Sequence, residues 1–145
     1  MSELNDLYQE LILEHNAKPR NFGALEAATH RADGFNPLCG DQLHLFLQIQ
    51  DGIVVEARFK GSGCAIFKAS ASVMTTLIKG KPVAAAETLF HDFHAAVTGT
   101  APASDLGKLN AFLGVREFPA RVKCATLAWH TLDAALHGKD IASTE

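Results

Sequence analysis

From Leu43 to Lys60 the chain repeats with a period of two, and this is what most restricts its fold. Leu43, Leu45, Leu47 and Ile49 alternate with His44, Phe46, Gln48 and Gln50. Ile53, Val55, Ala57 and Phe59 then alternate with Val54, Glu56, Arg58 and Lys60. Successive side chains of a strand point to opposite faces, so each set marks one face of a sheet. Between the two runs stands Asp51-Gly52, the pair that favours a tight hairpin turn. The expectation is an antiparallel hairpin with one face meant for a core. The segment GSGC, residues 61 to 64, ends it.

Something must cover that face, and the rest of the chain supplies helical patterns. Leu4, Leu7, Tyr8, Leu11 and Ile12 recur at helical spacing over residues 3 to 16. Ser2 is placed to cap this helix, without the reciprocal partner of a capping box because residue 5 is Asn. Pro19 closes it. Residues 17 to 37 read as loop, with a short edge strand near Arg31. Residues 65 to 79 carry Ile66, Ala69, Val73 and Leu77, and Gly80 ends them. Pro82 suits a first helical turn, and Val83, Ala86, Phe90, Phe93 and Val97 form a stripe behind it. The loop TGTAPAS leads to a short amphipathic piece with Leu106, Leu109, Phe112 and Leu113, closed by Gly114. A last helix starts at Pro119, carries Val122, Ala125, Leu127, Trp129, Leu132 and Leu136, and ends near Gly138. A hairpin followed by helices predicts an α+β fold: a small antiparallel sheet of about three strands with helices packed on one face. At 145 residues the chain is expected to be one domain, 1–145.

Charge and composition exclude several classes of function. A formal net charge of −3 with dispersed Lys and Arg lacks the basic stripe of a nucleic-acid binder. No run approaches the roughly 18 apolar residues of a membrane span. The N-terminal stretch MSELNDLYQE is acidic and has no apolar core, unlike a secretory signal. A cytoplasmic location is expected. There, three cysteines read as thiols or metal ligands rather than as a disulfide framework, and an odd number leaves one unpaired.

All three cysteines fall at the ends of predicted elements. Cys39 and Asp41 flank Gly40 on a Pro/Gly turn, NPLCGD at 36 to 41. Cys64 lies where the second strand gives way to a helix, and Cys124 lies in the first turns of the last helix. A helix N-terminus stabilises a thiolate, so two of the three are placed to be acidic. Any one alone reads equally as a small buried hydrophobe; three at element ends favour a shared site. Three thiolates and the Asp41 carboxylate make four donors, which suits tetrahedral Zn²⁺. Asp41 alternatively caps the turn. Arg121 and Lys123 stand near Cys124 and either offset its charge or face solvent. No Cys-x-x-Cys pair is present, so this is no zinc finger. His91 and His94, three residues apart, have chelating spacing but read as surface histidines flanking an apolar stripe, and His130 lies off the face of Cys124.

NPLCGD at 36 to 41, GSGCAIFKASASVM at 61 to 74 and RVKCATLAWHTL at 121 to 132 together resemble the IscU/NifU-like iron–sulfur cluster assembly proteins. EHNAKPRNFG at 14 to 23 is similar to the early loop of that family, and the resemblance runs from about Leu7 to Leu136. Two features resemble the SufU type. Lys123 stands where the IscU type has histidine before its third cysteine. TGTAPASDLGKLNAFLG looks like a SufU-type insertion, around residues 98 to 114. EFPARVK occupies the place of the Leu-Pro-Pro-Val-Lys motif by which the IscU type recruits its chaperone.

The resemblance implies an IscU/NifU N-terminal-like fold and a zinc-dependent sulfur relay. Cys39, Asp41, Cys64 and Cys124 correspond to zinc ligands, Cys39 to the sulfur acceptor, and Arg121 to a partner-contact or site residue. The implied partners are a SufS-type cysteine desulfurase and, downstream, a SufBCD-like scaffold. On this reading the chain acts as a sulfurtransferase with the desulfurase and does not turn over alone. The alternative is a scaffold that holds a nascent or transient [2Fe–2S] cluster on the same ligands. A third reading is a purely structural zinc site.

Overall fold

In a computed structural model, which describes residues 3–99 and 106–143, nine elements follow one another. They are α1 (Glu3–Ala17), β1 (His30–Asn36), β2 (Asp41–Gln50), β3 (Ile53–Ser62), α2 (Ala65–Ile78), α3 (Val83–Thr98), a 3-10 segment η1 (Gly107–Glu117), α4 (Pro119–Leu136) and β4 (Ile141–Ser143). The expected Ser2 cap and most of the TGTAPAS loop lie outside the described residues.

The sheet has four strands in the order β3-β2-β1-β4. The hairpin of β2 and β3 is antiparallel as the alternation requires, and β1 pairs antiparallel with β2. The segment near Arg31 is thus a seven-residue strand. It is not an edge, because β4 pairs with its other side in parallel and makes the sheet mixed. Three residues carry too little pattern to announce β4; their partner is supplied from far away in the chain.

One face of the sheet is buried and the other is open. Ala32, Leu43, Leu45, Leu47, Val54, Ala57 and Phe59 all point into the core. In β3 the inward phase slips. Ile49 pairs with Val54 and Gln48 with Glu56, which leaves Val55 as a bulge. Val54 is therefore buried and Val55 exposed, the reverse of strict alternation. From Ala57 onward the expected phase is restored.

Helices α4 and α2 cover the inner face, α4 over β1 and β2 and α2 over β3; α1 packs on α2 and α3 on α4. Gly34 of β1 lets α4 approach: a Cβ there would collide with the Thr131 side chain. Trp129 is fully buried between α2 and α3, its ring 5.1 Å from that of Phe93. Its Nε1 donates to Ser70 Oγ at 3.2 Å, and that hydroxyl donates to the Ala125 carbonyl at 2.6 Å. This chain of bonds locks α2 to α4, the two helices that carry Cys64 and Cys124. Gly114 does not close the short piece as expected; η1 continues to Glu117 and buries Leu109, Phe112 and Val115. Gly138, at φ 72°, follows α4 as its left-handed stop.

Helix α1 is held by His15, which is 4% exposed. Its Nδ1 pairs with Ser72 Oγ at 2.7 Å, and the Arg20 backbone N–H donates to the same oxygen at 2.8 Å. Burial, with Arg20 and Lys108 nearby, lowers the pKa of His15; burial and His94 lower that of His130.

Two outcomes follow. Trp129→Ala should destabilise the protein by about 3–5 kcal/mol in chemical denaturation, through the cavity it leaves. A histidine with a lowered native pKa binds fewer protons folded than unfolded, so its contribution falls as pH drops below about 6.5. The denaturant midpoint should decrease from pH 7.5 to 5.5, and His15→Gln should flatten that slope.

Candidate metal centre

Two loop junctions and one turn of a helix meet at one end of the sheet. The first is the loop 37–40 between β1 and β2, closed by the pair Asn36 and Asp41. Gly40 takes φ 74° there, and its N–H donates to the Asn36 carbonyl at 2.9 Å. Glycine adopts this left-handed conformation without strain. Cys39 sits on this loop, exposed. It therefore lies in the turn between β1 and β2.

The second is the β3–α2 junction. Gln42 pairs with Ser62, so the next residues, Asp41 on one strand and Gly63 and Cys64 on the other, lie side by side. Gly63 is required: a Cβ would overlap the Asp41 carboxylate and the Phe67 ring. Cys64 is the N-cap of α2, its sulfur accepting from the Phe67 N–H at 3.5 Å.

The third is the second turn of α4, where Cys124 is 3% exposed. Its thiol donates to Cys39 Sγ at 3.5 Å.

Asp41 is fully buried. Its Oδ1 accepts from the Cys64 backbone N–H at 3.0 Å, and its Oδ2 accepts from Asn36 Nδ2 at 3.1 Å. Both oxygens of this carboxylate are thus bonded within the fold. The donor atoms of Cys39, Asp41 and Cys124 all lie within 4.8 Å of one another. Two thiolates on a tetrahedral zinc ion stand about 3.8 Å apart, given Zn–S near ~2.3 Å. The 3.5 Å sulfur–sulfur separation is close to that edge, and two sulfurs with one carboxylate oxygen are a donor set that zinc accepts. Cys64 stands beside this group, its backbone N–H bonded to Asp41 while its sulfur serves as helix cap. The structure therefore gathers three of the four expected donors and holds the fourth next to them.

The expectation that helix position makes Cys124 acidic is not met. Burial pushes its thiol far up, followed by hydrogen bonds with Cys39 and Cys64 and the negative charges of Cys64 and Asp41. Cys124 sits too deep, among too many electron-rich neighbours, for the helix dipole to dominate. A cation among these donors has the opposite effect and favours thiolate.

The remaining sequence-derived residues divide. Arg121 is exposed and stacks on the Phe118 ring, its guanidinium carbon 4.7 Å from the centroid. Lys123 is half-buried beside Cys124. His91 is exposed as expected, whereas His94 is half-buried, its ring centroid 5.2 Å from that of the half-buried His130. The latter two sit between α3 and α4. The residue that sequence reasoning passed over is Asn36. Its place directly before Pro37 in NPLCGD was visible, but its burial was not.

Comparison with known proteins agrees with this architecture. The family model of the NifU-like N terminal domain matches residues 7–137. The chain is 41% identical over 134 residues to the zinc-dependent sulfurtransferase SufU of Bacillus subtilis, covering 91% of this chain and 90% of that one. It is 40% identical over 133 residues to the iron–sulfur cluster assembly scaffold protein IscU of Thermotoga maritima, covering 90% and 92%. Among solved structures, a putative iron–sulfur cluster assembly scaffold protein for the SUF system from Fervidobacterium islandicum superposes with a TM-score of 0.84 at 32% identity. It covers 91% of this chain and 98% of that one. A sheet whose loop ends gather cysteines and a buried aspartate, matched almost end to end by these relatives, shows that the chain belongs to the NifU-like N-terminal domain family.

Proposed function

We propose that this chain is a zinc-dependent sulfur-transfer protein that accepts persulfide sulfur from a SufS-type cysteine desulfurase and passes it toward iron–sulfur cluster assembly, to a SufBCD-like scaffold. One observation carries this reading. An exposed cysteine on a hairpin loop lies within 4.8 Å of a buried aspartate and a buried cysteine. A purely structural zinc site would be closed; here Cys39 and Cys64 are both exposed. The likeness to a sulfurtransferase named as zinc-dependent supports the same choice.

Cys39, Asp41, Cys64 and Cys124 would hold the zinc ion, which when bound keeps its thiol ligands deprotonated. The protein's own residues do the rest. Asp41 and Cys124 are set in strand and helix and cannot move far. Cys39 is on a loop and is the donor with freedom to swing outward. Its thiolate attacks the outer sulfur of the desulfurase persulfide. The S–S bond of that persulfide breaks, the desulfurase cysteine leaves as thiolate, and Cys39 becomes the persulfide. Arg121, exposed at the start of α4, is placed to meet the partner, with Lys123 supporting the site. Among the described residues no helix is long and apolar enough to cross a membrane. Residues 1–145 act as one domain, with a SufU-type insertion around 98–114 whose later part belongs to η1.

A second reading has the same donors hold a nascent [2Fe–2S] cluster, the role named for the IscU relatives. Cluster loading predicts a brown protein with acid-labile sulfide from anaerobic preparation; zinc loading predicts a colourless one.

The zinc-loaded protein should strongly raise alanine production by a SufS-type desulfurase when no other thiol is present, and Cys39→Ala should abolish the increase while still binding the desulfurase. Equal stimulation by Cys39→Ala would remove Cys39 from the relay. Asp41→Ala should lose zinc to a mild chelator by a factor of about 10 or more; full metal content after that treatment would count against ligation.

A further inference from the structure

Asn36 closes β1 with no solvent exposure, one residue from the loop that carries Cys39. Its Nδ2 donates to Asp41 Oδ2 at 3.1 Å and lies 3.8 Å from Cys124 Sγ in donor geometry. Its Oδ1 is buried and has no hydrogen-bond partner among the described residues. Turning the amide over would aim that oxygen at a carboxylate and a sulfur, so only one orientation is workable. A buried carbonyl left unpaired is costly. The sheet end retains this residue although half its bonding capacity is wasted, so the other half must be what the site needs.

The three sulfurs differ in the same respect. Cys64 Sγ accepts the Phe67 N–H at 3.5 Å, and Cys124 Sγ faces the Asn36 amide. Among the described residues Cys39 Sγ accepts from the Cys124 thiol and from no N–H. Hydrogen bonds to a charged acceptor stabilise it and spread its charge. We infer that Asn36 is a positioning residue that decides which sulfur the site keeps and which it releases. Its amide fixes the Asp41 carboxylate and quiets Cys124, leaving Cys39 as the sulfur with no N–H donor and the freedom to react. This rests on the proposed reading of the cluster as a zinc site.

The test compares zinc-loaded wild-type protein with Asn36→Leu, which keeps the branched shape and removes both the donor and the orphaned carbonyl. Zinc content and affinity are measured by chelator competition. Each cysteine's modification by limiting iodoacetamide is followed by mass spectrometry, with Cys64 as internal reference. Asn36→Leu should bind zinc about 10- to 100-fold more weakly. Modification of Cys124 should rise several-fold relative to Cys64, beyond the fall in zinc-free melting temperature that follows from leaving Asp41 Oδ2 without its donor. A merely structural role would move Cys64 and Cys124 together, which overturns the inference. So does an unchanged affinity with an unchanged Cys124-to-Cys64 ratio. If Asn36→Leu does not fold, Asn36→Ala carries the same expectations for affinity and ratio. A wild-type chain that retains no zinc would overturn the underlying reading, whereas wild-type retention with an indifferent Asn36 variant overturns this inference alone.

Discussion

A carboxylate with no exposure to water holds this end of the molecule together. Asp41 accepts from the backbone of the β3–α2 junction through one oxygen and from the side chain of β1 through the other. Burying a carboxylate is expensive unless its oxygens are bonded, and here both are. The geometry works only because Gly63 has no side chain to fill the space beside it. The β1–β2 loop, the start of α2 and, through Asn36, the second turn of α4 are thereby drawn to one point. The candidate metal centre is a consequence of that bracket.

The remainder of the fold keeps the bracket rigid on one side and soft on the other. Trp129, Ser70 and Ala125 tie α2 to α4 deep in the core, so the backbones carrying Cys64 and Cys124 are fixed relative to one another. His15 and Ser72 fasten α1 outside them. Among the described residues nothing comparable restrains Cys39, which stands on a four-residue loop facing solvent. A site with fixed donors and one mobile donor can store a nucleophile and then present it. A site closed on all sides can only store it.

Much of this could be read from the chain. The period of two from Leu43 to Lys60 announced the hairpin, because a half-buried strand has no other way to separate its faces. Leu43, Leu45, Leu47, Ala57 and Phe59 fell inside as expected. Cys39, Cys64 and Cys124 were suspect through their positions at element ends, and Asp41 through its link to Cys39 by one glycine. Four features escaped. The Val55 bulge depends on how β3 meets β2. Strand β4 is three residues that acquire meaning only beside β1. Segment η1 runs past Gly114, because Leu109, Phe112 and Val115 have a core to enter. Cys124 is not acidic, because burial outweighs the helix dipole.

Local periodicity and residue type, acting over a few neighbours, determined the hairpin, the helices and the identity of the sulfur and carboxylate donors. Their meeting within 4.8 Å was decided by the tertiary structure alone, since Cys39 and Cys124 are 85 residues apart in sequence. So was the role of Asn36, whose side chain could as well face solvent in an isolated strand. Strand register puts it opposite Asp41, and the close passage of α4 over β1 puts its amide beside Cys124. Long-range packing sets both, and neither leaves a pattern in the neighbouring residues.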